Sequence, residues 1–168
     1  YIMDKLGNPP IYTRQLTGAM IKKRQEEFQH LPKLNLEIIE RDTRMKIAPD
    51  FSVRFFNVTH TIPDAMGVIF ETPFGNLIFT GDLKIDHKDG VPLKHEEDTF
   101  GALGKENNLA LFADSTNVER PGFSLSEREV HKNLEEIIKT VKGRLFIASF
   151  ASLLERIIFI IETAEKVG

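Results

Sequence analysis

The chain has 168 residues, with 22 Lys and Arg against 25 Asp and Glu, a net charge of −3. That balance excludes attachment to nucleic acid through bulk basic charge, so any such contact must come from a local patch or a metal. A chain of this length buries roughly 70% of its unfolded surface, enough for one full-sized domain or two small halves. Its 41% hydrophobic and 28% charged residues suit a folded protein in water. Cys is absent, which rules out a disulfide framework, a thiolate zinc site and a cysteine nucleophile. A metal would have to rest on His, Asp or Glu, or on backbone and water. The most apolar run, Ile157 to Ile161, is far short of the ~20 residues of a spanning helix, so no membrane partner is expected. The N-terminal residues lack the basic segment and apolar core of a secretory signal, and a cytoplasmic setting is the expectation.

Pro9-Pro10-Ile11-Tyr12 reads as a short extended stretch. From Thr17 the spacing of Met20, Ile21, Arg24 and Phe28 predicts a helix that stops before Pro32. Leu34, Leu36 and Ile38 alternate with polar residues, the period of a half-buried strand. Phe51, Val53 and Phe55 repeat that period, and the run ends at Val58-Thr59-His60. Gly67 to Glu71 and Leu77 to Thr80 read as the two arms of a hairpin turning at Pro73 to Asn76. Gly81-Asp82 stands where the second arm ends. From Lys84 to Asn108 the sequence is polar and aperiodic, and Leu109 to Ala113 is a short apolar strand ending at Asp114.

After a soft boundary near Asn117 to Pro121 the pattern becomes helix, strand, helix, as at the start of a parallel-sheet module. Ser126 and Glu129 predict a capping box for a helix running to about Val141. Gly143 ends it, Leu145-Phe146-Ile147-Ala148 reads as a strand, and Ser152 with Glu155 predicts a second capping box. The last helix carries Leu153, Leu154, Ile157, Ile158, Phe159, Ile160 and Ile161 on nearly every face. Such a helix has to be covered on more than one side, and few residues here are available to cover it.

His60, Asp82 and Asp114 stand at predicted C-terminal ends of strands, where a side chain is held accurately while the next loop leaves it open. Gly81 permits close approach beside Asp82, and Ser115, Thr116 and Asn117 are small polar residues able to orient Asp114. Each also has an ordinary explanation: a surface histidine, a turn-forming aspartate, an Asx-turn. On spacing alone a His/Asp pair is a weak metal signal, because a catalytic zinc takes three protein ligands. His30, His87, His95 and His131 complete no set by local spacing and read as surface residues. There is no P-loop, no Gly-x-Gly-x-x-Gly and no Gly-x-Ser-x-Gly. The acidic and basic runs read as solvated faces.

Asn57-Val58-Thr59-His60-Thr61-Ile62-Pro63-Asp64-Ala65-Met66-Gly67, then Leu77-Ile78-Phe79-Thr80-Gly81-Asp82-Leu83-Lys84, then Ala113-Asp114-Ser115-Thr116-Asn117-Val118-Glu119-Arg120-Pro121-Gly122 resemble the ribonuclease J family, in the β-CASP branch of the metallo-β-lactamase superfamily. The blocks follow in family order along nearly the whole chain. The resemblance implies an α/β fold: a metallo-β-lactamase-type αββα sandwich of two mixed sheets, in part over residues 1–117, then the beginning of a β-CASP domain over 118–168. It implies a two-zinc site in which His60 ligates one metal, Asp82 bridges both, and Asp114 is the acidic residue of the first β-CASP motif. Ser149 and Ser152, at the predicted strand-to-helix turn, are candidates to hold an RNA phosphate.

The family's His-x-His-x-Asp-His string, which supplies most ligands, does not occur in the chain. The ligand set is therefore incomplete, and the string is expected upstream of Tyr1, with the later histidine motifs beyond Gly168. Ala151-Ser152-Leu153-Leu154-Glu155-Arg156 also departs from a Ser-Asn-x-His-Arg-like stretch. The resemblance implies an interior piece of a zinc-dependent ribonuclease, endonucleolytic and 5′-to-3′ exonucleolytic, active in RNA processing as a homo-oligomer, with RNA as partner. The alternatives are another hydrolase of the same fold, against which residues 114–122 weigh, and a non-catalytic interaction module.

Overall fold

The computed structural model describes residues 2–168. In chain order it has β1 (Ile11–Thr13), α1 (Gln15–Gln25), β2 (Leu36–Ile38), β3 (Arg44–Ala48), β4 (Phe51–Asn57), β5 (Met66–Thr72) and β6 (Gly75–Phe79). Then come β7 (His87–Lys88), β8 (Val91–Pro92), α2 (Lys94–Leu103), β9 (Asn108–Phe112), α3 (Glu127–Thr140) and α4 (Leu154–Val167). The class is mixed α/β. Contacts gather the chain into two units: Tyr1–Val58, Asp64–Gly81 and Asn107–Phe112 form the first, and Thr59–Pro63, Asp82–Glu106 and Ala113–Gly168 form the second.

The first unit is built on a five-stranded sheet in the order β3-β4-β5-β6-β9. The first three pairings are antiparallel and β6 with β9 is parallel. Alternation along β4 and β5 puts Val53 and Ile69 inside, and Ile69 is fully buried. Phe56 lies across the strand from Gly67. A Cβ on Gly67 would fall 2.2 Å from the Phe56 ring, so the glycine makes room for the aromatic. Phe70, Phe79 and Phe112 form a ladder across β5, β6 and β9, with Phe79 and Phe112 stacked at 4.5 Å. β1 and β2 pair in parallel around α1. No side chain at the N-cap, Arg14, caps α1. Instead the distant Asp64 carboxylate accepts from the Leu16 and Thr17 amides at 2.8 and 3.1 Å and from Thr17 Oγ1 at 2.6 Å.

The second unit contains the β7–β8 hairpin and helices α2, α3 and α4. The hairpin turns through Asp89 and Gly90, both at positive φ, as a two-residue turn between twisted strands requires. The capping box at Ser126 and Glu129 forms as read. α3 meets α4 with His131 stacked on Phe159 at 4.1 Å.

Several expectations give way. Leu145 to Ala148 is not a strand: it pairs with no other strand among the described residues, and Phe146 is 88% exposed. An extended segment with no neighbour has nowhere to place its backbone donors except water. The second capping box does not form either, since α4 begins after Leu153, whose side chain gives no cap bond. The stretch read as aperiodic holds β7, β8 and α2. His87, read as a surface residue, is buried: its Nε2 bonds Ser124 O at 2.8 Å, and its Nδ1 accepts from the Gly90 amide at 3.2 Å. α4 leaves Ile158 and Ile161 exposed.

Ile69→Ala is expected to destabilise the chain by about 2–5 kcal/mol, the range for truncating a buried isoleucine. Urea unfolding followed by circular dichroism measures it; a loss well under about 1 kcal/mol would place the core elsewhere.

Candidate functional site

β4 and β6 each run antiparallel to β5, and β9 runs parallel to β6. The three strands therefore share a direction, and their C-terminal ends lie at one end of the sheet. The chain leaves those ends into the segments bearing His60, Asp82 and Asp114. Phe79 and Phe112 are register partners, and the Thr80 amide donates to Phe112 O at 3.0 Å. Asp82 and Asp114 thus follow two strands that end level with one another.

Within the second unit these segments are bonded together. The Lys84 amide donates to Thr59 O at 2.7 Å, and the Leu83 amide donates to Asp114 Oδ2 at 3.4 Å. The residues after Asp82 thereby touch both the residue before His60 and the carboxylate of Asp114. Asp114 Oδ1 accepts from Thr116 Oγ1 at 2.6 Å and from the Thr116 amide at 2.9 Å. These bonds hold the carboxyl below its usual range: Thr116's side chain acts most, then its amide, then the Leu83 amide, against a small opposing desolvation, with His60 charge adding last. Asp114 is thus an oriented, ionised acceptor. Thr116, one of the small polar residues after it, orients it. His60, Asp82 and Asp114 are all exposed, and His60 Nδ1 lies 3.4 Å from Thr61 Oγ1. Gly81 has φ +61, and a Cβ there would make only an ordinary contact with Met66 O at 3.9 Å, so its glycine serves the backbone turn ahead of Asp82 rather than tight packing.

Imidazole and carboxylate suit a divalent metal in kind. In number they fall short, because among the described residues no three His, Cys, Asp or Glu side chains are grouped closely enough to hold one. Alone, these three side chains do not make a metal site. Ser149 is exposed, Ser152 is half-buried, and no hydrogen bond among the described residues ties either to the other three. The strand that was to set their turn is not formed.

The sequence reading missed the residues that fasten the Asp82 loop. Lys84 Nζ donates to Leu125 O and Glu127 Oε1, each at 3.0 Å, and Arg156 Nη2 donates to both Glu127 oxygens at 2.8 and 3.0 Å. Arg156 was visible only as part of a stretch that departs from the expected motif. His131 was read as a surface residue, yet its ring is half-buried on Phe159, and its Nε2 is buried without a hydrogen-bond partner.

No family model matches the sequence. The chain is 40% identical over 170 residues to ribonuclease J of Thermus thermophilus, covering 99% of this chain and 29% of that protein. It is 32% identical over 168 residues to ribonuclease J2 of Bacillus subtilis, covering 100% of this chain and 30% of that one. The chain thus spans about three-tenths of the length of these curated relatives. Among solved structures, a crystal structure of a protein of unknown function from Enterococcus faecalis V583 superposes with a TM-score of 0.71 at 18% identity, covering 91% of this chain and 39% of that one. That likeness is one of fold.

Thr116→Val removes the strongest donor to Asp114, so the carboxyl is expected to rise toward its ordinary range, while Thr116→Ser keeps it low. A carboxyl lowered by folding stabilises the fold above its unfolded pKa, and that contribution is lost as pH falls through the lowered value. The valine variant should therefore lose less stability across that acidic window. Carboxyl-carbon NMR titration reads the shift; identical midpoints in all three proteins would remove Thr116 from the account.

Proposed function

We propose that this chain is part of a metal-dependent RNA hydrolase of the ribonuclease J type. The observation that carries the reading is the bonding of the Asp82 loop both to Thr59, beside His60, and to Asp114. In support, the three bonded segments carry residues of the types and in the order of the ribonuclease J motifs. In this reading residues 1–117 are a partial metallo-β-lactamase-like domain and residues 118–168 begin the β-CASP domain.

His60 and Asp82 would hold metal, with Asp82 shared between two zinc ions whose remaining ligands this chain does not supply. Bound divalent ions supply Lewis acidity toward a phosphodiester and draw RNA phosphate to a net-acidic chain. Asp114, ionised and fixed by Thr116, keeps an acceptor beside that position and orients the Leu83 amide. Ser149 and Ser152 offer hydroxyls ahead of α4 for an RNA phosphate. The whole protein acts, on this reading, as a cytoplasmic homo-oligomer that cuts RNA internally and from the 5′ end.

The test uses the complete protein that contains this chain and a labelled RNA with a 5′-monophosphate. Asp82→Ala is expected to lower turnover by on the order of 100-fold, at or above the loss from removing an outer partner of a metal ligand. The 168-residue chain alone is expected to retain little zinc after dialysis and to leave the RNA intact. Turnover unchanged by Asp82→Ala, or a tightly held metal pair with turnover in the isolated chain, would overturn the reading.

A further inference from the structure

We propose that Lys84 is a positioning residue for the candidate site, hanging the Asp82 loop on an ion-paired hub made by Glu127 of α3 and Arg156 of α4. The claim about turnover rests on the nuclease reading; the claim about the loop does not.

The geometry begins two residues beyond Asp82. The Lys84 backbone amide is spent on Thr59 O, so the main chain there is fixed to the His60 segment. Its side chain turns to the start of α3 and divides between a carbonyl, Leu125 O, and the Glu127 carboxylate. Glu127 sits in the first turn of α3, where the helix dipole favours negative charge. Arg156 closes the hub by binding both oxygens of the same carboxylate.

The hub is partly shielded: side-chain exposures are 27% for Lys84, 35% for Glu127 and 25% for Arg156. It is accordingly less subject to screening than the exposed Lys23–Glu26 pair on α1, at 80% and 62%. Burial is the largest single influence on the Glu127 carboxyl and acts to raise it. The bonds from Arg156 and Lys84 outweigh burial and hold it below its usual range. A second stitch runs alongside, from His87 Nε2 to Ser124 O at 2.8 Å. The loop after Asp82 is therefore tied to residues 124–127 by two side chains.

Removing the Lys84 ammonium leaves the loop attached through its backbone and the single His87 stitch. Leu83, which donates to Asp114, and Lys84, which donates to Thr59, are then free to shift. The effect should appear in how well the site groups are aligned rather than in how tightly substrate is held.

The experiment compares Lys84→Met, Lys84→Arg and Glu127→Gln in the complete protein. It reads amide hydrogen exchange at positions 83 and 84 and steady-state RNA hydrolysis. Lys84→Met and Glu127→Gln are expected to speed exchange at both amides by about tenfold while β4 to β6 stay protected. The same variants should lower kcat by about tenfold with KM within about twofold, and Lys84→Arg should restore most of the loss. Unchanged exchange at 83 and 84, or a rise shared equally by the β4–β6 amides, would overturn the proposal. So would a loss carried in KM alone. If the unmutated protein cleaves no RNA, the nuclease reading fails, and the exchange arm still decides whether Lys84 ties the loop.

Discussion

Parallel pairing of β6 with β9 is the constraint on which the sheet's polarity depends, because it brings the C-terminal ends of the two strands that precede Asp82 and Asp114 level with one another. Parallel neighbours need a long crossover, and residues 80–107 supply it, with α2 inside. The stacked Phe79 and Phe112 rings and the Thr80 to Phe112 backbone bond fix the register at the end where the two aspartates emerge. β4 reaches the same end because it is separated from β6 by one antiparallel strand. Three strands distant in sequence thus end on the same side of the sheet by strand direction alone. Hydrogen bonds at Leu83 and Lys84 then do the finer alignment.

The carboxylates that matter are each occupied, and by different partners. Asp64 accepts two amides at the start of α1, Asp114 accepts from Thr116 and Leu83, and buried Glu96 accepts from the Asp86 amide at 3.1 Å. Glu127 alone among these is held by two cations. The Leu83 and Thr116 amides and the Thr116 hydroxyl that bond Asp114 carry no counter-charge. Glu127 has its charge neutralised and serves as an anchor.

Much of the sheet was legible because its strands obey period two: Phe51 to Phe55, Gly67 to Glu71 and the hairpin turn all lie where alternation and turn residues put them. β3 escaped because a register shift between Lys46 and Ala48 breaks its alternation and leaves Ile47 exposed. α2 escaped because one of its two buried positions is Glu96, so its inner face lacks the apolar stripe by which a helix is recognised. The capping boxes divide instructively. Ser126 and Glu129 bond each other's backbone, whereas Ser152 and Glu155 have the same spacing and form no cap. Spacing permits such a box, but the Ncap must sit where the helix starts, and α4 starts after Leu153. His60, Asp82 and Asp114 could be picked from strand ends, yet the bonds of Leu83 to Asp114 and of Lys84 to Thr59 are long-range, and no local pattern encodes them. Lys84 and Arg156 stood inside longer stretches without a role of their own and Glu127 was not singled out, because a long-range ion pair leaves no periodic trace.

The two units are stabilised by different means, and the site draws on the weaker kind. The first buries Ile39, Val53, Phe56, Val58, Ile69 and Ile78, while the second buries Leu103 and Ile138 and leaves Phe146, Phe150, Ile158 and Ile161 exposed. Apolar burial is nondirectional and little affected by modest salt, whereas partly exposed ion pairs weaken as ionic strength rises. The second unit relies on directed polar ties: Lys84 and Arg156 to Glu127, His87 to Ser124, Ser126 to Glu129. These ties join the Asp82 loop to the helices that follow it. Disturbance of the ionic hub should therefore reach the candidate site before it reaches the sheet, so that alignment of Asp82 and Asp114 can be lost while the strands that deliver them remain intact.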